Sequence, residues 1–435
     1  MRKRTRDIMG PVCDTPAKLA HWRLKELWNL GDLVTYRREL KKLITAAGRS
    51  EDTEFIGDAT NVALFHLASM TEAGRIDGVD RLLALLLPVI PEWADDRPVY
   101  NGFRLGLAYT ISGGVRMHAL APKAALAAYR TAVTVLSARD STPYYLVNAL
   151  IRQGAAQIAL GTAADARNTL KQARELAEAQ IVGGRTSFDT HAQLSTALTL
   201  TGYTWLMAGT SHDLADELFQ GAVDAARAAE IDEFDDWTAL LAEAAAISGQ
   251  SSLNHLRKRR ELALKQADQV VAMINRVAEL APEDPVVDVM RARAGLKQAA
   301  IACTKETLGD VVMDVFGAHQ PVQDRIKAGG ATPEMHHIGA LRGIICCALA
   351  ADFDAPVAMN VNFREAVRTW RKLMPKIQEP EFIHAECLRL CGLDLNTPNN
   401  WINLSHLKRD EAIRGPSAVI FAPPPLLGME DAEGV

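Results

Sequence analysis

Along the first 250 residues of this chain one spacing recurs: a small residue, a glycine seven positions later, then an alanine–bulky–alanine triplet. No other feature constrains the fold as strongly. In 147–180 its members are Gly154, Gly161, Ala166, Leu170 and Ala173. Small residues let two antiparallel helices approach closely, the intervening glycine makes the turn, and a large residue four after the alanine fills the groove between them. The set returns at Gly202, Trp205, Gly209, Ala215, Phe219 and Ala222, and at Gly106, Tyr109, Gly113, Ala125, Tyr129 and Ala132 with a longer turn holding Pro122. Weaker copies are Leu67, Met70, Gly74, Val79, Leu83 and Leu86, and Leu24, Leu27, Gly31, Tyr36, Leu40 and Leu43; a half-copy ends at Ala242, Ala245 and Gly249. The turn glycines stand 43, 39, 48, 48 and 40 residues apart. A fixed period of this size is the mark of stacked two-element units.

The local signal is helix throughout. Ala, Leu, Arg, Glu and Gln fill most positions and lose little on entering a helix. Apolar residues fall on one face, as Ala166, Leu170, Ala173 and Ala177 do. Glycines and prolines punctuate the runs, and alternating β-branched stretches are scarce. The expected class is all-α.

These helix pairs resemble the tetratricopeptide repeat family. Its pair carries a small residue at the eighth position, a bulky one at the eleventh, glycine at the fifteenth, alanine at the twentieth, an aromatic or leucine at the twenty-fourth and alanine at the twenty-seventh. Gln157 departs from the eleventh position, and the period exceeds the usual figure of about 34 residues. The resemblance covers 17–250 and implies a superhelix of antiparallel pairs, with residues about two, five, nine and twelve of each first helix facing a concave groove that takes peptides or partner helices. Carried over, those positions are Tyr100, Phe103, Leu107 and Thr110; Asn148, Ile151, Ala155 and Ile158; and Thr196, Thr199, Tyr203 and Leu206, with Arg104 and Arg152 one place on. The candidate groove residues are therefore Tyr100, Phe103, Arg104, Asn148, Arg152, Thr196, Thr199 and Tyr203. Asn and Thr can hydrogen-bond a peptide backbone, and Arg can pair a carboxylate.

The expected organisation is a basic arm over 1–16, repeats over 17–250, a C-terminal helical bundle or cap over 251–414, and a proline-rich mobile tail over 415–435. The stretch 251–280 reads as one helix, and a last helix is expected over 401–413. The chain has 435 residues, 48% apolar and 23% charged, with a formal net charge of −5. That composition is soluble and globular and carries no basic footprint over the whole chain. Local basic runs at 2–6 and 257–260 make nucleic acid a less favoured partner than protein or peptide. The longest apolar runs fall short of the roughly 20 residues a membrane helix needs, so no membrane association is expected. No secretory signal is legible. The expected site of action is the cytoplasm, with the six cysteines reduced. A homo-oligomer is compatible with the sequence.

His384, Cys387 and Cys391 share one helical face and are the one metal candidate. Buried thiols serving as small hydrophobes are the favoured reading, and no cofactor is expected. No nucleophile elbow, phosphate-binding loop, dinucleotide fingerprint or paired-histidine zinc motif occurs, so no catalytic residue is assigned. The sequence points to a non-enzymatic scaffold or regulator that binds a protein or peptide. A metal- or nucleic-acid-binding regulator is the alternative.

Overall fold

Several helices begin where the backbone is given a cap or a rigid start. Thr15, Asp32 and Asp52 accept the orphan amides of Lys18, Thr35 and Glu54 at 3.3, 3.0 and 3.0 Å. Pro122 and Pro285 open helices at the first position, where no amide is required. The resulting architecture, taken from a computed structural model, describes residues 15–90, 98–138, 143–184, 188–230, 237–282, 284–329, 331–351, 359–391, 409–424 and 426. Among these residues there are eighteen α-helices and no strand.

The helices pair in chain order: α1 (Pro16–Asn29) with α2 (Leu33–Ala47), α3 (Thr53–Glu72) with α4 (Val79–Leu86), α5 (Pro98–His118) with α6 (Pro122–Ser137), α7 (Pro143–Ala159) with α8 (Ala163–Val182), and α9 (Phe188–Ala208) with α10 (His212–Glu230). They continue as α11 (Trp237–Leu256) with α12 (Arg260–Leu280), α13 (Pro285–Ala302) with α14 (Leu308–Lys327), and α15 (Pro333–Ala351) with α16 (Met359–Leu373). Helices α17 (Pro380–Cys391) and α18 (Arg409–Arg414) follow. From α1 to α11 each odd-numbered helix packs on the next odd-numbered helix as well as on its even partner, as do α13 and α15. This stacking makes an all-α superhelix whose inner face belongs to the odd-numbered helices.

Close approach within the pairs requires the glycines that the sequence spacing singled out. A Cβ at Gly154 would stand 2.6 Å from the Leu170 side chain, one at Gly202 2.7 Å from Phe219, and one at Gly113 2.3 Å from Tyr129. Leu170, Phe219 and Tyr129 are fully buried, so these rings and branches occupy the space a side chain would need.

Two expected turns lie elsewhere. Gly113 and Gly249 are inside α5 and α11 rather than at helix ends. The turns they were expected to make fall at Leu120 (φ 58°) and Lys258 (φ 60°), both in the left-handed region without being glycine. Leu120 is 4% exposed and belongs to the core built on α13 and α15, so burial offsets the cost of its backbone. The turn at Lys258 also splits 251–280, expected as one helix, into the end of α11 and all of α12. Of the helix expected over 401–413, residues 409–413 lie in α18 and 401–408 fall outside the described residues.

The superhelix closes on itself. The Val286 amide at the start of α13 donates to Ala73 O at 3.3 Å, beyond the end of α3. Glu334 of α15 receives His118 Nδ1 of α5 at 2.9 Å and Arg293 Nη2 of α13 at 3.2 Å. Glu379, just before α17, accepts the Lys123 and Ala124 amides at 2.8 and 2.7 Å and so caps α6 from some 255 residues away in the chain. The helices after α12 thus lie across the mouth of the N-terminal repeats and roof the groove into a channel.

Candidate functional site: a channel along the inner helices

The corrected turns reset the register. Counting back seven from each left-handed turn residue places the eighth position at Leu67, Gly113, Gly154, Gly202 and Ser251. The inward positions are then Asn61, Leu64, Ala68 and Thr71 on α3; Leu107, Thr110, Gly114 and Met117 on α5; Asn148, Ile151, Ala155 and Ile158 on α7; Thr196, Thr199, Tyr203 and Leu206 on α9; and Ala245, Ser248, Ser252 and His255 on α11. The α7 and α9 sets coincide with the sequence assignment, and the α5 set moves on by two turns.

This reset relocates the first group of expected groove residues. Phe103 packs on the Tyr145 ring with centroids 4.2 Å apart. Arg104 is buried and its Nε donates to Asn61 Oδ1 at 2.8 Å, bridging α5 to α3. Both are struts between repeats. The side chain of Tyr100 lies outside the described residues.

Asn148, Arg152 and Thr196 meet around one object, the chain's own C-terminal segment. Arg152 Nε donates to Asn148 Oδ1 at 2.7 Å, which aims Nη2 at the carbonyl of Pro424, 2.9 Å away. Thr196 Oγ1 lies 2.9 Å from the carbonyl of Ala422. Ser252 Oγ donates to Ile413 O at 2.7 Å, and a Glu72 carboxylate oxygen accepts the Leu426 amide. The segment runs from α11 past α9 and α7 to α3, opposite to the order of the helices. After a single 3₁₀ turn at Pro416–Ala418, Val419 is extended (φ −73°, ψ 116°). Val419, Ile420, Ala422 and Leu426 are all buried, Leu426 completely. The expectation of a mobile tail from Gly415 is therefore corrected for 415–424 and 426. The proline-rich stretch cannot form a helix, but the channel supplies the apolar walls and the hydrogen-bond donors that solvent would otherwise provide. Residues 425 and 427–435 lie outside the described residues.

Beside the segment is a cavity of about 160 Å³. Its walls include Met117 and Tyr129, the Arg293–Glu334 pair, and Val419 and Phe421 of the segment. Burial pushes Glu334 up, but the hydrogen bond and charge of His118 and the Arg293 guanidinium outweigh it and hold the carboxyl down at about 2. Burial pushes Tyr129 up to about 12, against the nearby Arg152. His337, also on the cavity wall, accepts from Trp370 Nε1 at 3.0 Å through Nδ1. An indole nitrogen only donates, so Nε2 of His337 is the donor to Glu386.

Tyr203 and Thr199 are buried on α9. Tyr203 Oη accepts from Lys297 Nζ at 2.9 Å, and the same ammonium group reaches Ser248 O at 2.6 Å and Ser248 Oγ at 2.7 Å. Burial holds Lys297 well below the usual lysine range. The three partners join α9, α11 and α13 at one point, so Tyr203 serves the closure of the channel. Sequence reasoning missed Glu72, Ser252 and Lys297. Ser252 becomes legible once Lys258 is recognised as a turn.

The remaining candidates are not gathered into a site. Cys387 is buried in the core and His384 lies three residues away on the same helix; the side chain of Cys391 lies outside the described residues. No cluster of three or more His, Cys, Asp or Glu suited to a metal occurs among the described residues. In the basic run 257–260, Arg257 is held by Asp216 at 2.5 Å and Asp213 at 2.6 Å, and Arg260 donates to Ala302 O at 2.9 Å. Among the described residues no helix is long and apolar enough to cross a membrane.

No family model and no curated protein sequence matches the chain. Among solved structures it is similar to a Rap protein in complex with Competence and Sporulation Factor. The identity is 9% and the TM-score 0.51, with 86% of this chain and 96% of that one covered. It also aligns with NprR in complex with its cognate peptide NprX, at 11% identity and a TM-score of 0.47, covering 84% and 99%. The fold is a tetratricopeptide-like helical-repeat superhelix.

Proposed function

We propose that this protein is a non-catalytic scaffold or regulator whose superhelical channel binds an extended segment of a protein or peptide partner. One observation carries the reading. Side chains at the inward repeat positions, Thr196 on α9 and Asn148 with its neighbour Arg152 on α7, meet the backbone carbonyls of an extended chain. Recognition through backbone carbonyls fits a peptide held in extended form, and it leaves the apolar walls to choose among side chains. The solved Rap protein carries Competence and Sporulation Factor on a superhelix of the same fold, which supports ligand binding as a use of this architecture. The engaged state of Arg257 and Arg260 gives the nucleic-acid reading no support from geometry.

The test is selection of displayed random peptides on the intact protein, repeated on Asn148→Ala with Arg152→Ala. Peptides enriched by the intact chain and lost by the variant at unchanged helical circular dichroism are the expected outcome. Equal enrichment on both sinks the reading.

A further inference from the structure

The channel already holds a ligand, and its chemistry describes what else can enter. The segment 415–428 contains no charged side chain and four prolines. Its contacts fall into two kinds. Carbonyls at Ala422 and Pro424 accept from Thr196 and Arg152, and the amide at Leu426 donates to Glu72. The side chains of Val419, Ile420, Ala422 and Leu426 are buried against the walls, with Leu426 in the core of α1–α7 and Ile420 in that of α9–α13.

The segment's apolar side chains join the cores of the repeats, but its polar contacts are ones the channel can do without. It forms no hydrogen-bonded helix turn beyond 418. Arg152, which holds Pro424 O, keeps its Asn148 partner without the segment. Thr196 Oγ1 has a second acceptor 2.9 Å away in Ala192 O. These groove groups stay partnered when the segment leaves. Removal would also open the cavity beside Val419 and Phe421 to solvent.

We infer that the C-terminal segment, residues 415–424 and 426, is a ligand in cis for the channel, and that a partner competes with it by presenting an extended, uncharged, apolar and proline-containing stretch. The inference rests on the peptide-channel reading above. A tethered segment acts at an effective concentration of order millimolar. Entry in trans is therefore weakened by the resident segment, and the intact protein answers only to partners that are abundant or better matched.

The experiment uses the full chain throughout. The probe is a fluorescein-labelled synthetic peptide of residues 415–428, titrated by anisotropy against the intact protein and against Ile420→Asp with Leu426→Asp, which makes the resident segment unfit for apolar walls. The variant is expected to bind the probe at least about tenfold more tightly than the intact protein, and a probe carrying the same two aspartates is expected to bind neither. A second measurement on the unsubstituted chain decides the matter should the variant misfold: hydrogen exchange at the amides of 419–422 with and without excess unlabelled peptide. Faster exchange there, with the amides of α9 unchanged, is the expected result. Exchange unaffected by saturating peptide, or equal probe affinity in both proteins, overturns the inference and makes the segment a fixed part of the fold. Display-selected peptides that bind the variant while the 415–428 probe does not would leave the channel reading standing and remove the cis ligand. The 415–428 probe binding the variant with no displayed peptide enriched would do the reverse.

Discussion

Replacing Gly249 by alanine tests whether the repeat glycines are packing positions rather than turns. In an exposed helix interior this change stabilises by about 1 kcal/mol, because alanine loses less backbone entropy. Here the added Cβ would stand 2.1 Å from Phe219 Cε1, more than an ångström inside van der Waals contact. The ring cannot retreat. It is completely buried, the Cβ position of Gly202 is 2.7 Å from it, and the Tyr203 ring sits edge-on at 5.3 Å. Overpacking of a closed core costs about 1–3 kcal/mol against a propensity gain of about 1 kcal/mol, so a net loss of up to about 2 kcal/mol is expected. Gly317 is the internal control: it lies inside α14 with nothing within 4 Å of its Cβ position, and Gly317→Ala should stabilise by up to about 1 kcal/mol. Urea unfolding followed by helical circular dichroism measures both, with hydrogen exchange of α9–α11 to localise the effect, since stacked repeats open in parts. Phe219→Leu combined with Gly249→Ala should restore part of the loss, with a coupling energy of at least about 0.5 kcal/mol. A Gly249→Ala protein as stable as the Gly317→Ala one would refute the packing argument.

Three further outcomes follow from the contacts described. His21 and His66 form a buried relay with Tyr36: Tyr36 Oη meets His66 Nδ1 at 2.7 Å and His66 Nε2 meets His21 Nδ1 at 3.1 Å. Burial, with Lys25 nearby, lowers His21 to about 4, and burial with the charges of His21 and Lys25 lowers His66 further. A depressed histidine gives stability that is full above the unfolded value near 6.5 and is lost as pH falls toward the folded value. For His21 alone the loss between pH 7 and 5 is about 2 kcal/mol, to be read from denaturation midpoints at the two pH values; His21→Asn with His66→Asn should flatten that slope. Glu379→Ala removes the cap of α6 and should cost about 1–2 kcal/mol, visible as faster exchange at the amides of Lys123 and Ala124; unchanged exchange there would deny the cap any weight. Arg152→Ala deprives Pro424 O of its donor and should cost about 1–3 kcal/mol, with protease sensitivity rising in 415–426; retained protection would show that the apolar contacts alone hold the segment.

The sequence by itself determined the parts whose contacts are close in the chain. Helices, their caps and the paired small and bulky residues all act within a span of some seventeen positions. Gly154 with Leu170 and Gly202 with Phe219 sit 16 and 17 residues apart, and both spacings were legible. The groove assignments on α7 and α9 followed because Gly161 and Gly209 do take the left-handed turn. The register failed at α5 because a glycine reads the same whether it makes a turn or admits a ring. Gly113 admits Tyr129, and the left-handed turn falls to Leu120, which only its burial under α13 and α15 makes affordable. The same ambiguity hid the break at Lys258. Closure of the channel and its occupation by 415–426 were decided by tertiary structure alone. A stretch rich in proline has no periodicity of its own to show. Its partners at Arg152 and Thr196 lie 272 and 226 residues back along the chain, and no local pattern in the sequence brings groups so distant together.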